Sequence, residues 1–367
     1  MYIYEYKDWP NFTWNLEQIA DLLAEVRFNQ GKLLGVMETL GFDIQEEAML
    51  KTLTADVLKS SEIEGEILNA DQVRSSIARR LGMDIAGLVS SDRNVEGIVE
   101  MMLDATQNFA KNLSEERLFG WHANLFPTGR SGLYKIIVGD WRNNSKEDPM
   151  QVVSGAMGRE RIHYQAPDSK GLPNETKKFF DWFNADLAYD PILKAGIAHL
   201  WFVTLHPFDD GNGRISRAIA DMQLSRADKS AQRFYSMSAQ IRLERNKYYD
   251  ILEQTQSGSL DITSWLVWFL ECLNRALSVT DHTLASVKRK AKLWENLNLI
   301  VLNDRQKLMI NKLLDGFDGK LTSSKWAKIA KCSQDTAGRD IQNLVDKGIL
   351  IKDSAGGRST SYSLKEN

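Results

Sequence analysis

Residues 206 to 217, HPFDDGNGRISR, bring an imidazole, two carboxylates, two glycines around an asparagine and two guanidinium groups into twelve positions. An apolar helical run ends near Leu205, and Gly211-Asn212-Gly213 reads as a turn that opens the next helix. Glycines lack a Cβ, so a phosphate can approach the backbone closely, and a helix N-terminus adds roughly half a positive charge. Arg214 and Arg217 stand three apart, so both can face the same anion. Two arginines suit a polyphosphate better than a single phosphate. Asp210 would be repelled by that anion unless a divalent cation, with magnesium expected, bridged the two. His206 is the group whose ordinary pKa lies nearest neutrality, as a general base for a hydroxyl nucleophile requires. Phe208 reads as an inward-packing side chain that fixes the turn. Together these parts describe attack on a nucleotide phosphorus with a metal-bound leaving group.

The spacing matches the signature HxFx[DE]GNGRxxR at every defined position, and on it the chain resembles the Fic family of protein adenylyltransferases. The resemblance implies a mainly α fold: a helical core over about 90–285 with a β-hairpin flap. It assigns His206 as the base, Asp210 as the Mg2+ ligand, and ATP as the substrate. Phe208, Gly211, Asn212, Gly213, Arg214 and Arg217 are implied in the ATP-binding loop. Asn212 and the loop amides would hold the α-phosphate, Arg214 the distal phosphates, and Arg217 the γ-phosphate. Tyr248, Tyr249 and Gln256, in NKYYDILEQTQSG, align with the segment that closes over adenine and ribose. Adjacent helix positions cannot both face one pocket, so one tyrosine is expected in the core. The implied reaction moves AMP onto a Ser, Thr or Tyr hydroxyl of a target protein, with pyrophosphate leaving. Doc-type kinases carry a degenerate loop instead, and this chain retains GNGR.

Upstream, Ser60-Ser61-Glu62-Ile63-Glu64-Gly65 is similar to the family's inhibitory pattern [ST]xxxE[GN], in the arrangement called class II. A carboxylate inserted into the cradle would pair with Arg217 and take it from the γ-phosphate. Ser60, one turn earlier, would fix the helix or the carboxylate, and Gly65 would stop the helix. A restrained enzyme is therefore expected. An alternative within the same chemistry has Glu64 position water, so that the site removes AMP from its target.

The elements that must position these residues are mostly helical. Leu16, Ile19, Leu23 and Val26 recur at helical spacing, and a second helix from about Gln45 runs into the SSEIEGE segment. Further helices are read near 69–81, 92–111, 114–124, 173–188, 190–205 and 214–228. TSWLVWFLECL near 263–273 is apolar all round, as a central core helix would be. MQVV and RIHY flank SGAMGRE, which predicts a hairpin near 150–166. By resemblance this is the flap on which the target protein docks by β-augmentation. His199 reads as a core histidine, and His122 and His163 have no metal-ligand spacing.

From about 302 the pattern helix, short strand, helix, turn, helix, then two β runs around Gly-Gly resembles a small C-terminal winged helix-turn-helix domain. Residues 300–367 carry twelve Lys/Arg against eight Asp/Glu, a mild excess. Its second reading is a DNA-binding regulator whose core senses nucleotide, with Gln334, Thr336, Arg339 and Gln342 facing out beside Asp335 and Asp340. The expected division is 1–89, an N-terminal helical domain with the inhibitory helix; 90–285, the catalytic core; 286–301, a linker helix; and 302–367, the winged helix. A net charge of −3, two distant cysteines, Cys272 and Cys332, and no apolar run of membrane length fit a cytoplasmic protein with no membrane partner. Self-modification and a homodimer are compatible with the sequence.

Overall fold

Side-chain caps set many of the helix starts. The Asn15 Oδ1 accepts from the Glu17 and Gln18 N–H groups and opens α1 (Leu16–Glu38). α2 (Phe42–Ile63) follows, then α3 (Ala70–Arg80), α4 (Arg93–Gln107) and α5 (Glu115–Leu125), capped by Asn69, Asp92 and Ser114. These facts come from a computed structural model that describes every residue except 84, 86, 156–158, 187, 298, 299, 315, 316, 318, 354–359, 366 and 367. The side chains of 43, 281–284, 286, 287 and 291 are likewise outside the description.

Two short hairpins come next. β1 (Arg130–Ser131) pairs with β2 (Tyr134–Lys135), and β3 (Gln151–Ser154) pairs antiparallel with β4 (Arg161–Gln165). The second is the hairpin expected near 150–166; its tip at 156–158 lies outside the described residues. Its register runs Val152 to Tyr164, then Val153 to Ile162, which leaves His163 as the extra residue of a bulge.

α6 (Leu172–Asn184) leads to α7 (Pro191–Leu205), opened by an Asp190 cap with proline at its first position. From Ile192 to Leu205 every α7 residue is buried. α8 (Asn212–Asp228) packs along α7, and between them runs the 206–211 loop. α9 (Met237–Leu243) and α10 (Arg245–Gln256) precede α11 (Thr263–Leu297), whose Trp265, Leu266, Phe269 and Leu270 are fully buried. Each such side chain contributes about 1.5–3 kcal/mol of transfer free energy, so this part of α11 sits at the centre of the core as its all-round apolarity requires. The N-terminus is tied to the start of α11: Thr13 N–H donates to Leu260 O at 2.8 Å, and Ile262 N–H donates to Thr13 O at 2.9 Å.

Two elements, β1–β2 and α9, were not expected from sequence. The helix expected at 286–301 forms the last part of α11, which ends at Leu297. Residues 1–82 and 89–281 form one compact unit, and residues 83–88 and 282–367 a second. In the second unit α12 (Asp304–Leu314), α13 (Ser323–Ile329) and α14 (Gln334–Asp346) surround Met309, Trp326, Ile341 and Leu344. β5 (Leu350–Lys352) and β6 (Tyr362–Leu364) form an antiparallel pair, and Leu321 bridges to Tyr362. The Gly-Gly turn between the strands lies outside the described residues. Asp340 was expected on the outward face of α14, and that expectation is corrected. Its buried carboxylate accepts from Arg305 Nε at 2.7 Å and Asn303 Nδ2 at 2.9 Å. Gln334, Asp335, Arg339 and Gln342 are exposed.

Candidate active site

His206 ends α7 with φ 47°, a left-handed conformation uncommon for a residue with a Cβ. Its Nδ1 lies 3.2 Å from Val203 O. A carbonyl only accepts, so Nδ1 carries the proton and Nε2 keeps its lone pair. Burial pulls the imidazole down to about 4, with the Val203 contact opposing and Arg142 adding to the shift. His206 is thus neutral at physiological pH. Arg142, itself buried, donates from Nε to His206 O at 2.7 Å and from its backbone N–H to Pro207 O at 3.0 Å, which holds the loop from outside.

Phe208 is fully buried and stacks on His122, with centroids 4.1 Å apart. The Asn212 side chain closes the loop on itself: Oδ1 accepts from Phe208 N–H at 3.0 Å, and Nδ2 donates to Phe208 O at 2.8 Å. That commits the side chain, so any phosphate contact by Asn212 falls to its backbone N–H, one of the first-turn amides of α8 that have no intrahelical acceptor. His122 Nδ1 accepts from Gly139 N–H at 3.2 Å, which leaves Nε2 to donate to Asp210 O at 3.1 Å. Burial lowers its pKa to about 4. His122 is therefore a neutral brace under the loop. Asp210 accepts from Gly211 N–H at 2.5 Å and from the Ser131 hydroxyl of β1, and Asp209 accepts from Ile137 N–H at 2.8 Å. Asp210 offers hard carboxylate oxygens, and among the described residues no three acidic, His or Cys groups cluster. This donor set fits a cation that takes its other ligands from phosphates and water, as magnesium does.

The end of α2 sits in the cradle. Glu64 Oε1 is 2.8 Å from Arg217 Nη1; the arginine side chain is 2% exposed and the glutamate 32%. A Cβ on Gly213 would stand 2.1 Å from that carboxylate oxygen, so with any other residue there the carboxylate would have to move. Burial alone would lower the Arg217 pKa, and Glu64 with Tyr248 and Tyr249 outweighs it. Ser60 holds the arginine and not the carboxylate, accepting from Nε at 3.0 Å through Oγ and from Nη2 at 2.8 Å through its carbonyl. Gly65, at φ 86°, reverses the chain after the helix. Arg214 donates to Glu66 at 2.7 Å.

The two tyrosines divide as expected of neighbours on a helix. Tyr249 OH reaches Glu64 Oε2 at 3.4 Å, whereas Tyr248 is buried against His199 Nε2 at 2.9 Å. Gln256 is buried and donates to Thr204 Oγ1 at 3.3 Å. On the hairpin, His163 Nδ1 lies 2.6 Å and Arg161 Nη2 2.5 Å from the Glu253 carboxylate of α10. Deeper along α2, buried Asp56 accepts from Ser236, and Asp221 pairs with Arg233 at 2.9 Å. Burial and the neighbouring Asp221 raise Asp56 to about 7.

The Fic/DOC family profile matches residues 112–224, which include the whole loop and its brace. The chain carries a Fic/DOC domain. Residues 2–83, ahead of the Fic domain, match a domain of unknown function (DUF4172). Similar curated proteins are the protein adenylyltransferase Fic of Culex quinquefasciatus, 34% identical over 104 residues, and that of Drosophila willistoni, 31% over 137. Those matches cover 28% and 36% of this chain and only 19% and 26% of the relatives. A Fic family protein from Desulfovibrio desulfuricans G20 superposes with a TM-score of 0.53 at 20% identity over 98% of both chains. A Fic domain containing signaling protein from Bacteroides thetaiotaomicron gives 0.51 at 19% identity, over 74% of this chain and 97% of that one. These establish the mainly α Fic fold. Among the described residues no helix is long and apolar enough to cross a membrane. Sequence reasoning missed Glu66, Arg142, His122 and Ser131 as parts of the Fic site. Glu66 alone left a signal, a second acid two places after Glu64.

Proposed function

We propose that the chain is an autoinhibited protein adenylyltransferase, moving AMP from ATP to a Ser, Thr or Tyr hydroxyl of a target protein. The observation that carries the reading is His206, with Nδ1 on Val203 O and Nε2 left over, beside a glycine cradle whose Arg217 is occupied by Glu64. His206 Nε2 takes the proton of the target hydroxyl as its oxygen attacks the α-phosphorus. The bond to the β-bridging oxygen breaks and pyrophosphate leaves. First-turn amides of α8 receive the α-phosphate charge, and Arg214 and Arg217 hold the distal phosphates. Asp210 would hold Mg2+, which neutralises charge on the leaving phosphates when bound. The β3–β4 hairpin is two-stranded among the described residues, so an extended target segment could add to its edge. While Glu64 stays on Arg217, a γ-phosphate has no place there.

Mass spectrometry of Glu64→Gly protein incubated with magnesium and each nucleoside triphosphate tests this reading. The expected result is a covalent gain of one AMP from ATP; no gain from any nucleotide would overturn it.

A further inference from the structure

Both motif arginines are held by carboxylates from one three-residue segment, and the sequence pattern explains only one of them. α2 ends in a Schellman arrangement: Gly65 N–H donates to Glu62 O at 3.1 Å and Glu66 N–H donates to Ser61 O at 3.0 Å, with Gly65 at φ 86°. This cap fixes the backbone on both sides of Gly65, so Glu64 and Glu66 leave it as a rigid pair. Glu64 reaches Arg217, and Glu66 Oε2 accepts from Arg214 Nη1 at 2.7 Å.

A surface ion pair contributes little, but Arg214 is not at the surface. Its side chain is 7% exposed, with the guanidinium carbon 5.1 Å from the Phe126 ring centroid. Its Nε is buried with no acceptor among the described residues. Glu66, 36% exposed, thus compensates a desolvated cation while leaving donor capacity unused. A distal phosphate could satisfy more of those donors and would have to displace the carboxylate first.

We propose that Glu66 is a second latch, which competes with the distal phosphates of a nucleoside triphosphate for Arg214 and sets triphosphate affinity separately from Glu64. The inference rests on the reading of Arg214 as a phosphate clamp. Two consequences follow. Removing Glu64 alone leaves the site half-latched. Ligands without distal phosphates are indifferent to Glu66.

The test is calorimetric binding of MgATP and of AMP to the full chain in a His206→Ala background, which prevents turnover. Wild-type latch, Glu64→Gly, Glu66→Gln and the double variant are compared. Glu66→Gln keeps the side chain's size and the backbone cap, and Glu66→Ala serves as a second substitution. The expected result is a MgATP affinity about three- to tenfold tighter on loss of Glu66, whether Glu64 is retained or replaced by Glu64→Gly, with AMP affinity unchanged. Unchanged MgATP affinity, or an equal gain for AMP, overturns the second latch. If Glu64→Gly tightens MgATP while neither Glu66 variant does, this inference alone fails. If the Glu66 variants tighten it while Glu64→Gly does not, the second latch stands and the Glu64 brake falls.

Discussion

Helix α8 carries two charged residues one turn apart on one face, Arg217 and Asp221, and each makes an ion pair of nearly equal length. Arg217 meets Glu64 at 2.8 Å, and Asp221 meets Arg233 at 2.9 Å. What differs is the partner's access to water. Glu64 is 32% exposed at the end of a helix, while Asp221 and Arg233 are both within 1% of full burial. The first carboxylate can leave and be rehydrated, whereas separating the second pair strands two charges in the interior. The first pair therefore suits a gate and the second a fastening that ties α8 to the segment that follows it.

The largest effect that would break this contrast is on the inner pair. Asp221→Ala is expected to cost about 3–5 kcal/mol in chemical denaturation, because Arg233 keeps its charge with its closest partner gone. A loss near that expected of a surface pair would erase the distinction. Glu64→Gly is expected to cost about 1–2 kcal/mol, since Ser60 still engages Arg217. MgATP should then raise the melting temperature of the variant more than that of the wild type, and equal shifts would count against the gate.

A smaller effect concerns pH. Asp56 has its pKa raised from 3.8 to about 7, first by burial and then by Asp221, with Arg233, Ser236 and Ser238 opposing. Between those values the folded chain holds a proton that the unfolded chain has lost, so stability falls as pH rises through this window. Asp56→Asn should flatten the pH dependence of unfolding from about 4 to 7. A slope unchanged by the substitution would remove Asp56 as its source. Smallest is Gly65→Ala, expected to cost about 1 kcal/mol through the left-handed backbone and to loosen both glutamates together.

The gate was more legible than the fastening for a physical reason. His206, Asp210, the glycines and both arginines lie within one turn and one helix start, so their spacing carries their geometry. Glu64 could be read as a candidate because the pattern around it is also local. Asp221 and Arg233 meet only because the chain turns back after α8, and Asp56 comes to them from α2, so no local spacing links the three. Arg142 was invisible for the same reason, meeting His206 across 64 positions. Asp340 read as an outward charge because its partner Arg305 sits on another helix. The β1–β2 hairpin has strands of two residues, too short to show a period, and α9 spans only seven. The long helices, with several turns of apolar spacing, were read to within a few residues except at the end of α11.

The claim that Glu64 gates a working transferase is tested most directly by the rate at which label enters protein from ATP labelled at the α-phosphate, with magnesium. Wild type, Glu64→Gly and Glu64→Gly/His206→Ala would be compared, each also with ATP labelled at the γ-phosphate. The account predicts at least tenfold faster α-label incorporation by Glu64→Gly than by wild type, about a hundredfold loss or more on adding His206→Ala, and no γ-label in any of them. Equal α-label incorporation by wild type and Glu64→Gly would contradict it.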